Sequence, residues 1–315
     1  MEQPLRWTTL LIGIFVVLAP VAAETALQLY AKYASKRVRL FRSDTQAGWS
    51  NKPDLLTKQT NAIGREWSIR TDENGQRIIA QNPFTGRMIL ILGDSLSFGE
   101  GVEIEDRFDV RMLSSLSGTR VINTGVMGYG TDQEYVAFTN WKHLLGAGDI
   151  VLVVLNQSDY FDVLRRRFFG RAKPYFEKEG ASLTFRPPRI GVLERWSDIS
   201  RLAAVVARLL EPRAVPDESL DLSQSTEIIS FILGRIRTEA PPRVKVVLAH
   251  QGTGEFRTPK LGLSSTIFCQ SVDVCVALDD VLAAHPAHLL PDGHWSPSGH
   301  AAVAKALSKA LQRVD

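Results

Sequence analysis

The chain has 315 residues, enough for one large domain or two small ones. It is 44% hydrophobic and 23% charged, the balance of a globular protein with a sizeable core rather than a disordered one. A net charge of +3 is too small to argue for nucleic acid as a partner, and no Cys/His cluster has metal-ligand spacing.

The first element is apolar. No charge occurs from Trp7 to Ala23, and Leu10 to Ala23 is almost wholly apolar, roughly the lower limit for a membrane span. Val21-Ala22-Ala23 also fits a signal-peptidase site after a short apolar core. A retained anchor is the preferred reading, because amphipathic, basic sequence follows without a break: Leu27, Tyr30, Tyr33 and Ala34 with Lys32, Lys36 and Arg37. Arg6 is the only basic side chain before the span, whereas Lys32, Lys36, Arg37, Arg39 and Arg42 follow it. The positive-inside tendency would therefore keep the rest of the chain in the cytoplasm. Residues 1–42 are read as this anchor, or signal, helix with its basic juxtamembrane stretch.

Residues 43–86 read as an irregular connecting arm with turn signals at Asn51-Lys-Pro53, Asp72-Glu-Asn-Gly75 and Asn82-Pro83. Trp49 and Trp67 are its expected anchors. The main domain is expected from 87 to 315. It starts with the apolar run Met88 to Leu92, which ends abruptly at Gly93-Asp94-Ser95 and reads as a buried parallel strand. Four more short runs follow: Arg120 to Asn123, Ile150 to Leu155, Val244 to Ala249 and Val274 to Leu278. Helical-period segments, such as Asp132 to Leu145 and Gln224 to Arg237, lie between most of them. The alternation predicts a parallel sheet with helices on both faces.

Residues 160–222 interrupt the alternation. Arg165-Arg-Arg167, Arg171 and Lys173 are interleaved with Phe168, Phe169, Tyr175 and Phe176. This insertion is either a solvated excursion whose aromatics pack down, or a lid or groove for an anionic or sugar substrate. Cys269 and Cys275 either form a disulfide in an oxidising compartment or remain buried thiols. Ser296-Pro297 supplies an N-cap and a first-turn proline, and Val303, Ala306, Leu307, Ala310 and Leu311 then repeat at helical spacing.

Open α/β sheets hold their chemistry at the carboxyl ends of the strands, where Ser95 falls. A serine nucleophile needs a base, and the base needs a group that fixes its tautomer. Asp292 and His294, in Leu290-Pro-Asp-Gly-His-Trp295 just before the last helix, supply both. His300, in the first helical turn, and His250, after the fourth strand, are read as structural. Acyl transfer also needs donors for the oxyanion. The glycine-rich turn from Asn123 to Gly130 can present backbone N–H groups, and Asn156-Gln-Ser-Asp159 offers short polar side chains at the same sheet edge. A histidine base implies a rate that rises through one ionisation at roughly 6 to 7.

Taken in order, these blocks resemble the SGNH/GDSL esterase–lipase family from about Arg87 to the C-terminus. The resemblance implies Ser95 as nucleophile and backbone oxyanion donor, Gly128 as the oxyanion glycine, His294 as base and Asp292 as its orienting carboxylate. Two departures stand out. The third block usually reads Gly-x-Asn-Asp, but here Asn156 takes the Gly position and Ser158 the Asn position. A Ser hydroxyl is shorter than an Asn amide and residues two apart in extended chain point to the same side, so Asn156 is the expected side-chain donor; Ser158, or a hole of the Ser95 and Gly128 backbone groups alone, are the alternatives. Only Gly293 separates Asp292 from His294, a spacing that resembles the branch acting on envelope and exported polysaccharides, as does the run from Gly128 to Gln133 in membrane-anchored bacterial members.

The resemblance implies a three-layer, flavodoxin-like α/β/α fold with about five parallel strands in the order 2-1-3-4-5. The expected function is ester hydrolysis through an acyl-Ser95 intermediate on an O-acylated carbohydrate, needing no metal or cofactor, with the catalytic domain on the periplasmic side. A polysaccharide O-acetyltransferase using the same triad, and a degenerate glycan-binding or export scaffold, are the alternatives.

Overall fold

The apolar run after residue 87 becomes a central strand because nothing in it tolerates water. The structure, a computed structural model, describes residues 3–35, 39–79, 86–180, 182–210, 221–252 and 266–314. The side chains of Lys36 and Arg37 and the turn expected at Asn82-Pro83 lie outside these residues.

Helix α1 (Gln3–Tyr30) contains Pro20 and is long and apolar enough to cross a membrane, a property shared by anchors and signal sequences. The arm is not irregular. It forms two antiparallel hairpins, β1 (Phe41–Asp44) with β2 (Gly48–Asn51) and β3 (Leu56–Thr60) with β4 (Glu66–Arg70). The second was legible in principle, since Glu66-Trp-Ser-Ile-Arg70 alternates and buries only Trp67 and Ile69. Trp49 and Trp67 are both buried; Trp49 Nε1 donates to the Met127 carbonyl at 3.3 Å.

Next come β5 (Met88–Leu92), α2 (Ser95–Phe98), α3 (Phe108–Leu113), β6 (Arg120–Asn123), α4 (Thr131–Trp141) and β7 (Ile150–Leu155). The insertion then contributes α5 (Asp159–Asp162), two small hairpins, β8 (Arg167–Phe168) with β9 (Arg171–Ala172) and β10 (Tyr175–Glu179) with β11 (Ser182–Arg186), and helices α6 (Val192–Trp196) and α7 (Arg201–Leu209). The domain closes with α8 (Leu222–Glu239), β12 (Lys245–His250), α9 (Thr266–Cys269), β13 (Val274–Ala277), α10 (Asp279–Ala283) and α11 (Pro297–Leu311).

The five main strands form one parallel sheet, ordered β13-β12-β7-β5-β6, so the expected 2-1-3-4-5 order holds. Both faces are covered. Val151, Val153 and Leu155 of β7 face α4 and α8, while Ile150, Leu152 and Val154 face α3 and α11. All six are fully buried, which is why β7 reads as an unbroken apolar run rather than an alternating one. Burying such a side chain contributes roughly 1.5–3 kcal/mol. Cys269 and Cys275 form a disulfide that ties α9 to edge strand β13.

Candidate active site

Because the sheet is parallel, the ends of β5, β6, β7 and β12 open onto one rim. Ser95 is the first residue of α2, directly after β5. Asp94 caps that helix: its Oδ1 accepts from the Leu96 N–H at 2.9 Å, and its Oδ2 accepts from Asn156 Nδ2 at 2.8 Å. The buried Asp94 carboxylate therefore ties the end of β5 to the end of β7, and burial pushes its pKa up.

The loop before α11 comes from the far end of the chain. The Gly293 N–H donates to the Leu290 carbonyl at 2.8 Å, and φ of +86° at Gly293 lets the chain reverse between Asp292 and His294. Ser296 Oγ then accepts from the Gly299 N–H and caps α11. The turn points His294 at the rim. His294 Nε2 lies 2.9 Å from Ser95 Oγ, and His294 Nδ1 lies 3.2 Å from Asp292 Oδ1. Ser95, His294 and Asp292 thus form one chain of contacts across residues far apart in sequence.

A residue that the sequence did not single out completes the surroundings of the histidine. Glu100 Oε2 lies 3.3 Å from His294 Nε2. It sits in the turn between Gly99 and Gly101, both at positive φ, which was the available signal for a carboxylate returned toward the serine. Burial lowers the pKa of His294, but hydrogen bonds and charge from Asp292 and Glu100 outweigh it and raise the value to about 10. The expected ionisation at 6 to 7 is therefore corrected upward. The His294 contact in turn holds the Asp292 carboxyl below the usual range.

Ser95 and His294 open into a cavity of about 340 Å³, within the range for small-ligand sites. Gly128, Asn156 and Ser158 line it with them. A Cβ at Gly128 would come within 2.6 Å of the Phe169 ring and 2.9 Å of the Phe168 ring, and its φ is +77°. Only glycine lets the aromatic wall close on this turn. Asn156 is fastened at both ends, since its Oδ1 also accepts from the Ser158 N–H at 2.7 Å. Ser158 Oγ reaches Asp94 Oδ2 only at 3.4 Å.

The insertion supplies the opposite wall. Phe168 and Phe169 line the cavity, with Phe169 stacked on Phe41 from the arm at 6.3 Å. The basic run beside them is largely neutralised. Arg165 pairs with Asp162 at 2.7 Å, Arg167 with Glu194 at 2.5 Å and Arg171 with Asp198 at 2.7 Å. Lys173 is buried and donates to Asp132 Oδ1 at 2.6 Å and to the Asp162 carbonyl at 2.8 Å. Of these cations only Arg165 lines the cavity.

His300 and His250 stand away from the serine. His300 is buried, stacks on Phe108 and accepts from its N–H at 3.2 Å; burial holds its pKa well below the ordinary value. His250 is buried against Phe268, and burial lowers its pKa to about 4. Among the described residues no group of His, Cys, Asp and Glu is arranged to hold a metal ion.

Fold and site together define an α/β protein with a Ser-His-Asp chain at the carboxyl edge of a parallel sheet. No family model and no curated protein matches the sequence. Solved structures do resemble it. A member of the lipolytic G-D-S-L family from Veillonella parvula DSM 2008 is 10% identical, with 72% of this chain and all of that one covered, at a TM-score of 0.46. TesA is 12% identical over 73% of this chain and all of its own, at 0.43. A catalytic mutant of an acetylxylan esterase from Geobacillus stearothermophilus is 14% identical over 72% of this chain and 95% of its own, at 0.41. Likeness at this level carries no argument about activity, which rests on the site itself.

Proposed function

We propose that the protein is a serine esterase that works through an acyl-Ser95 intermediate. The observation that carries this reading is the contact chain from Ser95 Oγ through His294 to Asp292, at 2.9 and 3.2 Å. Neutral His294 takes the Ser95 proton as the hydroxyl oxygen attacks the ester carbonyl; Asp292 holds the ring by Nδ1. The tetrahedral oxyanion is met by the backbone N–H groups of Ser95 and Gly128 and by the second N–H of the Asn156 amide, whose first is held by Asp94. The imidazolium then gives its proton to the leaving alcohol. Water, deprotonated by His294, releases the acid and restores Ser95.

An O-acylated carbohydrate is the proposed substrate class. The Phe168–Phe169 wall suits the apolar face of a sugar ring, and Arg165 and Glu100 at the same cavity suit its hydroxyls. Transfer to a polysaccharide hydroxyl instead of water would use the same residues. Helix α1 is proposed to stay as a membrane anchor. From Glu24 onward the helix is fastened to the domain, since Glu24, the residue after the Val21-Ala22-Ala23 sequence, accepts hydrogen bonds from Ser200 Oγ and the Leu202 N–H, both at 2.8 Å. The Cys269–Cys275 disulfide supports an oxidising, extracytoplasmic location.

Labelling with a serine-reactive phosphonate tests the activity. Wild type should be modified at Ser95 and hydrolyse a short p-nitrophenyl ester, and Ser95→Ala should lose both, with turnover falling by several orders of magnitude. An unlabelled, inactive wild type would leave the fold as a binding scaffold.

A further inference from the structure

The insertion carries an apolar face that the domain does not cover. On α6 and the turn after it, Val192, Trp196 and Ile199 recur at one-face helical spacing and are 73%, 56% and 68% exposed. On α7, Val205 and Leu209 repeat the pattern, while Ala203 and Ala207 face inward. Single exposed apolar residues need no explanation, but a helical face of them does.

Helix α1 identifies what covers it. Its Glu24 carboxylate sits on the first turn of α7, with Oε1 accepting from the Arg201 N–H at 3.0 Å and Oε2 from the Leu202 N–H. A negative group there also complements the helix dipole. Gln28, one turn on, accepts from Arg201 Nε at 3.1 Å. The uncharged stretch from Trp7 to Ala23 spans about 25 Å at helical rise, close to the thickness of a hydrocarbon core of about 30 Å. Glu24 therefore falls where hydrocarbon gives way to headgroups, and the hydrogen bonds hold the start of α7 at the same level. Exposed Arg195 and Arg208 flank the apolar face, placed to reach headgroups while their stems stay in the apolar layer. An apolar face, a tryptophan and flanking arginines are the pattern of a helix lying in a membrane interface.

We propose that α6 and α7 form a second membrane contact, lying on the bilayer beside α1, and that they hold the aromatic wall of the catalytic cavity at the lipid surface. The inference rests on the anchor reading above. The link to the cavity is direct. Glu194 of α6 binds Arg167 and accepts from the Ala172 N–H, and Asp198 binds Arg171. These residues belong to, or flank, the hairpin that carries Phe168 and Phe169. A substrate reaching Ser95 past that wall approaches along the membrane.

The test uses the full chain in vesicles whose acyl chains are brominated near the headgroup. Of the six tryptophans, Trp49, Trp67 and Trp295 are buried and Trp141 is half-buried against the core, whereas Trp7 and Trp196 are exposed on the two proposed contacts. Trp7→Phe therefore reads the second contact, and Trp196→Phe reads the anchor. Each variant should lose, in brominated relative to unbrominated vesicles, up to the share of emission that its one remaining exposed tryptophan contributes, and the double variant should lose little. Quenching retained in Trp196→Phe but absent in Trp7→Phe would overturn the second contact and leave the anchor standing. Loss of quenching in both would overturn the anchor and the proposal with it. Absent quenching in Trp7→Phe, with a blue shift that grows with protein concentration, would assign the face to a second copy of this chain and overturn the bilayer as its occupant.

Discussion

Replacing Glu100 with glutamine should make the proposed esterase faster at neutral pH. His294 stands between two carboxylates, Asp292 beside Nδ1 and Glu100 3.3 Å from Nε2. Both favour the imidazolium, whereas the base must be neutral to take the Ser95 proton. The rate therefore rises as pH rises through the ionisation of His294, at about 10. A unit charge at this distance is worth about 1 kcal/mol in a water-like medium and about 5 kcal/mol at an effective dielectric constant of 20. The Glu100 side chain is 32% exposed, so solvent screening places the effect toward the lower figure. That corresponds to a fall of about 1 to 2 pKa units in Glu100→Gln. Each unit makes the neutral fraction at pH 7 about tenfold larger, so kcat/KM there should rise by about that factor or more. The assay is kcat/KM on a short p-nitrophenyl ester from about pH 6 to pH 10, corrected for spontaneous hydrolysis. A profile whose midpoint stays put or moves to higher pH would refute the argument. The same linkage acts on stability. Because the folded pKa of His294 lies above its unfolded value near 6.5, its stabilisation is full below that value and is lost as pH rises through about 10. Glu100→Gln should therefore lower the melting temperature more at acid than at alkaline pH.

Three further outcomes follow from the site and its supports. Asn156→Ala should cost about 10² to 10³ in turnover, whereas Ser158→Ala should cost much less, because the amide is pinned toward the cavity and the hydroxyl is not; comparative kcat values at saturating substrate decide it. Lys173→Met should leave Asp132 buried without its cation and destabilise the fold by about 3–5 kcal/mol, read by denaturant unfolding. The effect should already shrink as pH falls toward about 6, because burial, which holds the Asp132 pKa at about 6 against the pull of Lys173, acts unopposed in the variant and neutralises the carboxyl above that pH. A phosphatase fused after Asp315 should be active if the disulfide reports the compartment correctly, and inactive if the basic flank from Lys32 to Arg42 sets the topology.

The five sheet strands, helix α11 and the three residues of the contact chain were legible in the sequence because each carries a local signal. A fully buried strand must be apolar throughout, a helix start needs its cap, and Ser95 and His294 sit where glycine turns break apolar runs. The arm was misread because its strands are only four or five residues long and one strand of each hairpin, β1 and β3, buries none of them, so no apolar run shows. The sequence favoured Asn156 over Ser158 only through the two-residue alternation of extended chain, whereas its 2.8 Å contact with the buried Asp94 carboxylate, against 3.4 Å for the Ser158 hydroxyl, is a tertiary feature. The disulfide, the neutralised basic run and the approach of Glu100 to His294 were decided only by tertiary structure. So was the seating of Glu24 on α7, which joins residues more than half the chain apart. Local sequence determines periodicity, turns and caps because those depend on neighbours along the chain. Which charges meet, and hence the pKa of His294, depends on distances across space, which only the order of strands in the sheet and the packing of the insertion determine.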